Sequence, residues 1–339
     1  MNLSQRLELM VKLGEFLAAE NEFLDALIHQ THYHNQWFTT ENYKQALEAI
    51  RSSFLSREKL ESWLRNYQIP ESNEPKTVGL VLAGNIPLVG FHDIMTTFMA
   101  GHYCQIKPSS KDQFVLPYLL KEIVKWEPGA APYFQLVDQL QNLDAVIATG
   151  SNNSARYFET YFGKYPHIIR KNRNAVAVLN GTESAETFLK LGKDIFGYFG
   201  LGCRNVSKLY VPEGYNFSPL LEALHEFRHL VMHSKYKNNF DYNFALFSLN
   251  RKAFLSNGCV MLIEDESLQS RIAVLHYEYY QDYESLQSEL ESRKDEIQLV
   301  VSDQILWSGP SAPFGEAQSP ALDDYADGVD TLKFLQEQI

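Results

Sequence analysis

Few residues of this 339-residue chain sit in settings that suit covalent chemistry, and the first is Cys203 in "GYFGLGCRNVSKLYVP", residues 197–212. A thiolate attacks carbonyl carbon, and the thiolate form is favoured by a neighbouring cation such as Arg204. Gly200 and Gly202 permit a tight turn and let a substrate approach the sulfur. The stretch is not a dinucleotide-binding G-x-G-x-x-G loop, because the third glycine is missing and no strand leads directly into it. Cys104 and Cys259 lie in or beside apolar runs, where cysteine behaves as a small inert hydrophobe. Three widely spaced cysteines give neither a disulfide framework nor a Cys-x-x-Cys metal site, as in a reducing cytoplasm.

The second candidate is "HEFRH", residues 225–229, which matches H-E-x-x-H. On a helix that spacing lets His225 and His229 bind zinc with Glu226 as general base, and His233 lies one turn further on. The plainer account is an amphipathic helix whose apolar stripe is Leu221, Leu224, Phe227 and Val231, leaving the histidines on the wet side. A solvated face lacks the walls and supporting shell of a catalytic zinc, so no metal is expected. The histidines of "HQTHYH", residues 29–34, have no carboxylate or cysteine at useful spacing and read as a helix end.

These residues need elements to hold them. The chain is 45% hydrophobic, enough for a substantial core. Its net charge of -12, with no Lys/Arg-rich block, argues against nucleic acid as a partner. The N-terminus reads as an amphipathic helix in place of a signal peptide, and no apolar run approaches the ~20 residues that span a membrane. A soluble cytoplasmic protein with small-molecule ligands is expected. Residues 1–67 read as helices, and "QIPESNEPK" (68–76) as a turn or linker. Apolar strand runs at 77–84, "YCQIK" and 143–150 then alternate with helical stretches, "IPLVGFHDIMTTFMAG" and "KDQFVLPYLLKEIVKW" among them. The rhythm resumes after 167–181, with a helix at about 183–198, a strand "VSKLYVP", a helix "SPLLEALHEFRHLVMH" and strands at "CVMLIE", "IAVLHYE" and "IQLVVS". Alternation of this kind implies parallel crossovers and a doubly wound α/β sheet. Two α/β halves meet near 170–180, and the last twenty residues look like a tail that packs elsewhere.

The order of motifs carries more than any one of them. "GNIPL" (84–88), "AGHYCQIKPSS" (100–110), "ATGSNNSAR" (148–156), "VAVLNG" (176–181), "GLGC" (200–203) and "PFGEAQS" (313–319) resemble, in sequence, signature segments of the aldehyde dehydrogenase superfamily. Within it the chain looks most like the LuxC-type acyl-CoA reductases, related to the fatty-acid reductase of bacterial luminescence, and "KYPHIIRKNRN" and "DYADGVDTLKF" look characteristic of that branch. The resemblance implies an aldehyde-dehydrogenase-like α/β fold of two Rossmann-like doubly wound domains behind a helical N-terminal segment. That gives 1–67 as the helical segment, 77–175 as an NADP-binding domain completed by 320–339, and 176–319 as the catalytic domain.

Carried over by position, the resemblance makes Cys203 the nucleophile and Asn85 the side-chain donor to the oxyanion, a task for a fixed neutral group. It gives Lys107, with Pro108, Ser109 and Ser110, to the cofactor ribose. Thr149, Gly150 and Ser151 become the turn that opens a helix near the cofactor phosphates. Glu264 or Glu266 stands for the glutamate that holds the nicotinamide ribose. Residue by residue there are plain alternatives: Asn85 as a helix cap, Lys107 as a solvated strand end, "PFG" as an ordinary turn.

Three departures from the superfamily pattern shape the expected activity. The water-activating glutamate of the hydrolytic members is matched here by Val178, so a thioester on Cys203 would outlast hydrolysis and accept hydride. The carboxylate that follows the lysine in many NAD-preferring relatives is replaced by Ser110 and then Lys111, which suits a 2'-phosphate and hence NADPH. The chain is also short for the superfamily and shows no obvious oligomerising hairpin. The expectation is an NADPH-dependent reductase of acyl-CoA to aldehyde, with an acyl-donor protein or a second copy of the chain as further partners. Two alternatives stand beside it: an acyl-phosphate reductase, and a zinc hydrolase built on His225, Glu226 and His229.

Overall fold

The computed structural model describes every residue except Ser72, so that position of the expected 68–76 linker lies outside the described residues. The chain divides into two compact units, Met1–Asn172 together with Pro320–Ile339, and Arg173–Ser319.

The first unit opens with four helices, α1 (Leu3–Ala18), α2 (Glu22–His34), α3 (Thr40–Phe54) and α4 (Arg57–Leu64). Their starts are written in the sequence. Asn2 accepts from the Gln5 N–H while the Gln5 side chain answers the Asn2 N–H, and Asn21 and Thr39 cap the next two helices. An alternating run follows: β1 (Thr77–Val81), α5 (Phe91–Ala100), β2 (Tyr103–Lys107), α6 (Val115–Trp126), β3 (Phe134–Leu136), β4 (Ala145–Thr149), α7 (Asn152–Phe162) and β5 (His167–Arg170). The strands form one parallel sheet in the order β3-β2-β1-β4-β5. Val78, Leu80, Ile106 and Val146 are fully buried, as strands covered on both faces must be. The helix expected from Ile86 begins only at Phe91. Pro87, Leu88 with φ 53° and Gly90 hold the intervening residues in a turn.

The second unit runs β6 (Asn174–Val178), α8 (Ala185–Phe196), β7 (Val206–Pro212), α9 (Ser218–Leu224), α10 (Ser234–Leu249), β8 (Leu255–Ser256), β9 (Met261–Glu264), β10 (Val274–Tyr280), α11 (Tyr283–Ser292), β11 (Ile297–Val301) and β12 (Ser311–Ala312). Its sheet has the order β12-β11-β6-β7-β10-β9-β8 and is parallel apart from the edge strand β8. The chain then returns to the first unit, ending in α12 (Thr331–Glu337). There Trp63 donates to the Tyr325 hydroxyl at 2.7 Å, and His92 and His102 bond the carbonyls of Leu322 and Leu335. Two doubly wound α/β sheets behind a helical segment is the expected class. Among the described residues, no helix is long and apolar enough to cross a membrane.

One buried ion pair ties the first unit together. Arg170 on β5 donates to both carboxylate oxygens of Asp93 on α5 at 2.6 and 2.9 Å, and also reaches Thr331 on α12 at 3.1 Å. With both side chains below a tenth exposed, the pair is a constraint on packing more than a source of net stability.

Candidate active site

In Arg173–Ser319 the chemistry-bearing feature is the turn that leads into β7. After α8 the backbone enters the left-handed region at three successive residues, Tyr198 (φ 50°), Phe199 (φ 59°) and Gly200 (φ 76°). An L-residue there costs about 1–2 kcal/mol. Tyr198 and Phe199 both bury their rings, which offsets a strain of that size. Cys203 follows and is exposed, whereas Cys104 and Cys259 are buried. Burial also raises the buried thiols' pKa, that of Cys259 to about 11, so neither is a ready thiolate near neutral pH.

Asn205, two residues past the cysteine and 3% exposed, fixes this turn. Its Oδ1 accepts from the Gly202 N–H at 2.7 Å, and its Nδ2 donates to the carbonyls of Asp194 and Gly197, each at 2.9 Å. Arg204 Nε donates to the Ala317 carbonyl at 2.6 Å, joining the turn to "PFGEAQS". That segment is anchored in turn by Asp194, whose carboxylate accepts from the N–H groups of Gly315 and Ala317 at 2.6 and 3.0 Å. Burial raises the Asp194 pKa to about 6 despite those two donors. Neither Asn205 nor Asp194 carried a signal in the sequence, since an asparagine near a turn and an acid late in a helix are commonplace.

In Met1–Asn172 the candidate residues gather at the carboxyl edge of the parallel sheet. The chain runs outward from β1 to β2 and β3, then returns to β4 on the other side of β1. The order therefore reverses between β1 and β4, the place where open α/β sheets take ligands. The loop after β1 carries Asn85, β2 ends at Lys107, and the turn after β4 holds Gly150 and Ser151. Ser151 caps α7 by accepting from the Ser154 N–H at 3.2 Å, so the first N–H groups of that helix face an exposed edge. Thr149 is half-buried, 3.5 Å from the Arg170 guanidinium.

Asn85 is not a helix cap, since α5 starts at Phe91 behind Gly90. Its loop is held by Asp112, a buried acid that accepts from the Leu88 N–H at 2.7 Å and from the Tyr43 hydroxyl at 2.6 Å. Burial raises the Asp112 pKa in spite of both bonds. Gly84 is required here: a Cβ on it would meet Ser109 Oγ at 2.0 Å. Ser109 thus packs against the β1 loop, while Lys107, Ser110 and Lys111 are exposed.

Two positions matched by the resemblance lie in the second sheet, and one expected helix needs correction. Val178 pairs with Tyr210, four residues along β7 from Val206 and therefore about 13 Å from the strand's start at ~3.3 Å per residue. It packs in an apolar cluster with Tyr210 and Leu286. The chain from Lys164 to Thr182, β6 included, contains no Asp or Glu. Glu264 is level with Leu209 and two strands away from β7, toward the carboxyl edge. Glu266 contributes its carbonyl to Lys208 and Arg293.

The "HEFRH" stretch is not an α-helix but a run of 3-10 turns, His225–Met232. At three residues per turn, positions i and i+4 diverge by about 120°, so His225 and His229 do not share a face. His225 Nδ1 is bonded to the Asn257 carbonyl, and Glu226 faces Arg228. Among the described residues, no group of three or more His, Cys, Asp or Glu side chains is arranged to hold a metal ion.

Comparison with known proteins gives a family and a fold. The sequence profile of the family described as acyl-CoA reductase (LuxC) matches residues 4–231. The chain belongs to this family. The LuxC match takes in Asn85, Lys107, Thr149 and Cys203 and stops before Glu264. The chain is 22% identical over 232 residues to the long-chain acyl-protein thioester reductase of Photorhabdus laumondii subsp. laumondii, a match covering 62% of this chain and 48% of that protein. It thus spans about half the length of that curated relative. Among solved structures, aldehyde dehydrogenase 21 of Physcomitrella patens, in complex with the reaction product succinate, superposes with a TM-score of 0.71 at 14% identity, covering 100% of this chain and 84% of that one. Aldehyde dehydrogenase C of Pseudomonas syringae, a mutant in complex with NAD+ and octanal, gives 0.62 at 12% identity, covering 89% and 72%. The fold is that of the aldehyde dehydrogenases.

Proposed function

We propose that this LuxC-family chain reduces an acyl thioester to the aldehyde with NADPH, through an acyl group held on Cys203. The observation that carries the reading is the exposure of Cys203 on a turn fixed by Asn205, beside two cysteines buried out of reach. In this reading Met1–Asn172 binds the cofactor and Arg173–Ser319 carries the nucleophile.

The Cys203 thiolate attacks the thioester carbonyl carbon, forming a C–S bond and an oxyanion. The Cys203 N–H donates to that oxyanion. Its collapse breaks the bond to the carrier sulfur, which leaves as a thiolate and takes up a proton from solvent. NADPH, when bound, supplies hydride to the acyl carbon. The resulting thiohemiacetal on Cys203 collapses to free aldehyde and the regenerated thiolate.

Support for NADPH comes from the carboxyl edge of the first sheet. Ser110 and Lys111 are exposed beyond Lys107, and the next carboxylate along the chain, Asp112, is turned inward to Leu88 and Tyr43. A ribose 2'-phosphate there meets hydroxyl and ammonium groups without a competing acid. Support for a long-lived acyl group is the lack of any carboxylate between Lys164 and Thr182. The acyl carrier can be coenzyme A, as the family description says, or a protein thiol, as in the Photorhabdus relative.

Intact-mass measurement after incubation with acyl-CoA and acyl-protein thioesters of several chain lengths tests the reading. The expected result is a single acyl adduct that disappears with aldehyde release when NADPH is added. No adduct from any donor, or an adduct that survives replacement of Cys203 by Ala, sinks it.

A further inference from the structure

We propose that Asp194 is a positioning residue for Cys203, fixing the cysteine turn from both sides at once. The proposal rests on the acyl-transfer reading above and on geometry wholly within Arg173–Ser319.

Asp194 lies in the last turn of α8 and is 1% exposed. Two hydrogen-bonded paths lead from it to the residues on either side of the cysteine. Along one, its main-chain carbonyl accepts from Asn205 Nδ2 at 2.9 Å, and Asn205 Oδ1 accepts from the Gly202 N–H at 2.7 Å. Along the other, its carboxylate accepts from the Ala317 N–H at 3.0 Å, and the Ala317 carbonyl accepts from Arg204 Nε at 2.6 Å. The second carboxylate oxygen takes the Gly315 N–H at 2.6 Å, in a segment where Gly315 itself needs a left-handed φ of 90°.

The chemistry requires the ionised acid. A carboxylate offers an acceptor to each N–H separately, whereas an amide keeps one acceptor and turns an N–H₂ group toward the other donor. Keeping a charge in so buried a place is unfavourable for the fold alone. The gain lies in holding Gly202 and Arg204, and hence the sulfur between them, in one orientation. The backbone beside the turn is already strained at Tyr198 and Phe199 and would relax if released.

The test is Asp194→Asn in the full chain, read by alkylation of Cys203 with iodoacetamide, by acyl transfer from a long-chain acyl-CoA, and by thermal midpoint near neutral pH. Acyl transfer needs an oriented sulfur, while a small alkylating agent needs only an exposed one. Acyl transfer is expected to fall by at least about tenfold, alkylation to stay within about threefold, and the midpoint not to drop. Wild-type acyl transfer overturns the proposal, and so does a parallel fall of all three readouts, which would make Asp194 merely structural. Should Asp194→Asn fail to fold, Arg204→Lys decides, because it keeps the charge and removes the Nε–H. A smaller fall in acyl transfer is then expected, and no fall overturns the proposal. If wild-type Cys203 alkylates but takes no acyl group from any donor, the acyl-transfer reading fails by itself. Amide exchange at Gly202 and Asn205 then judges the positioning, with acceleration of about tenfold or more in Asp194→Asn supporting it and an unchanged rate overturning it.

Discussion

The two chemistry-bearing regions of this chain are built on opposite plans. In Met1–Asn172 the candidate cofactor residues stand where β1, β2 and β4 end, at the carboxyl edge of a parallel sheet. Topology alone opens a crevice there, and α7 adds its unbonded N–H groups. In Arg173–Ser319 the candidate nucleophile stands ahead of the amino end of β7, where doubly wound topology provides no such crevice. The turn is shaped by two left-handed aromatic residues and held by Asn205, Arg204 and Asp194. A site of the first kind tolerates sequence change, because strands and helices place it. The second kind depends on particular side chains and should fail when one of them is altered.

The largest effect that probes this contrast is Cys203→Ala, expected to lower thioester reduction by at least about 10⁴-fold while leaving cofactor affinity unchanged, as read by fluorescence titration with NADPH. Next comes Asp93→Ala, which leaves the Arg170 charge buried without its carboxylate and should cost about 3–5 kcal/mol in denaturant unfolding. That loss belongs to the scaffold of the first unit, and Cys203 alkylation in folded protein should stay at the wild-type rate.

A pH experiment isolates Asp194. Burial raises its folded-state pKa from an ordinary carboxylate value to about 6, so the folded state binds this proton more tightly than the unfolded chain does. Stability attributable to the group is present at low pH and is lost as pH rises from about 4 to about 6, by up to about 3 kcal/mol. The unfolding free energy of Asp194→Asn minus that of wild type should therefore rise across this window and be flat above it. A flat difference throughout would mean that the acid carries no burial penalty.

Lys111→Glu should reduce kcat/KM for NADPH about tenfold relative to NADH, the size of one lost charge-assisted contact, with single-turnover acylation unaffected. The smallest expected effect is that of Gly200→Ala. A side chain at φ 76° costs about 1–2 kcal/mol, and the new Cβ meets the Ile195 carbonyl at 3.4 Å, an ordinary contact. Acyl transfer should slow a few-fold, whereas the same change at an exposed, helical position of the first unit should leave it unaltered.

How much was legible follows from the range of each interaction. The strands β1, β2, β4, β7, β9, β10 and β11 and the helix that opens at Ser151 rest on local pattern, and local pattern carried them, whereas the short strands β3, β8 and β12 gave no such signal. The helix expected across "HEFRH" failed because a chain in 3-10 turns shows the same apolar spacing over a short span. The places of Val178 and Glu264 in the sheet were out of reach for a different reason. Their place relative to Cys203 depends on the register of β6 against β7 and of β9 against β10, and pairing register between strands distant in sequence is not written in either strand alone.

The sequence by itself determined the alternation of buried strands and helices, the family's motifs and their order, and the absence of any acid between Lys164 and Thr182. These are properties of composition and short spacing, which hydrophobic periodicity and turn chemistry express directly. Tertiary structure decided which cysteine is exposed, which acids are turned inward, and which side chains hold the two loops. Asp112 meets Leu88 and Tyr43, and Asp194 meets Gly315 and Ala317, across long stretches of chain. Those partners are chosen by packing, because a buried polar group must find donors wherever the fold supplies them.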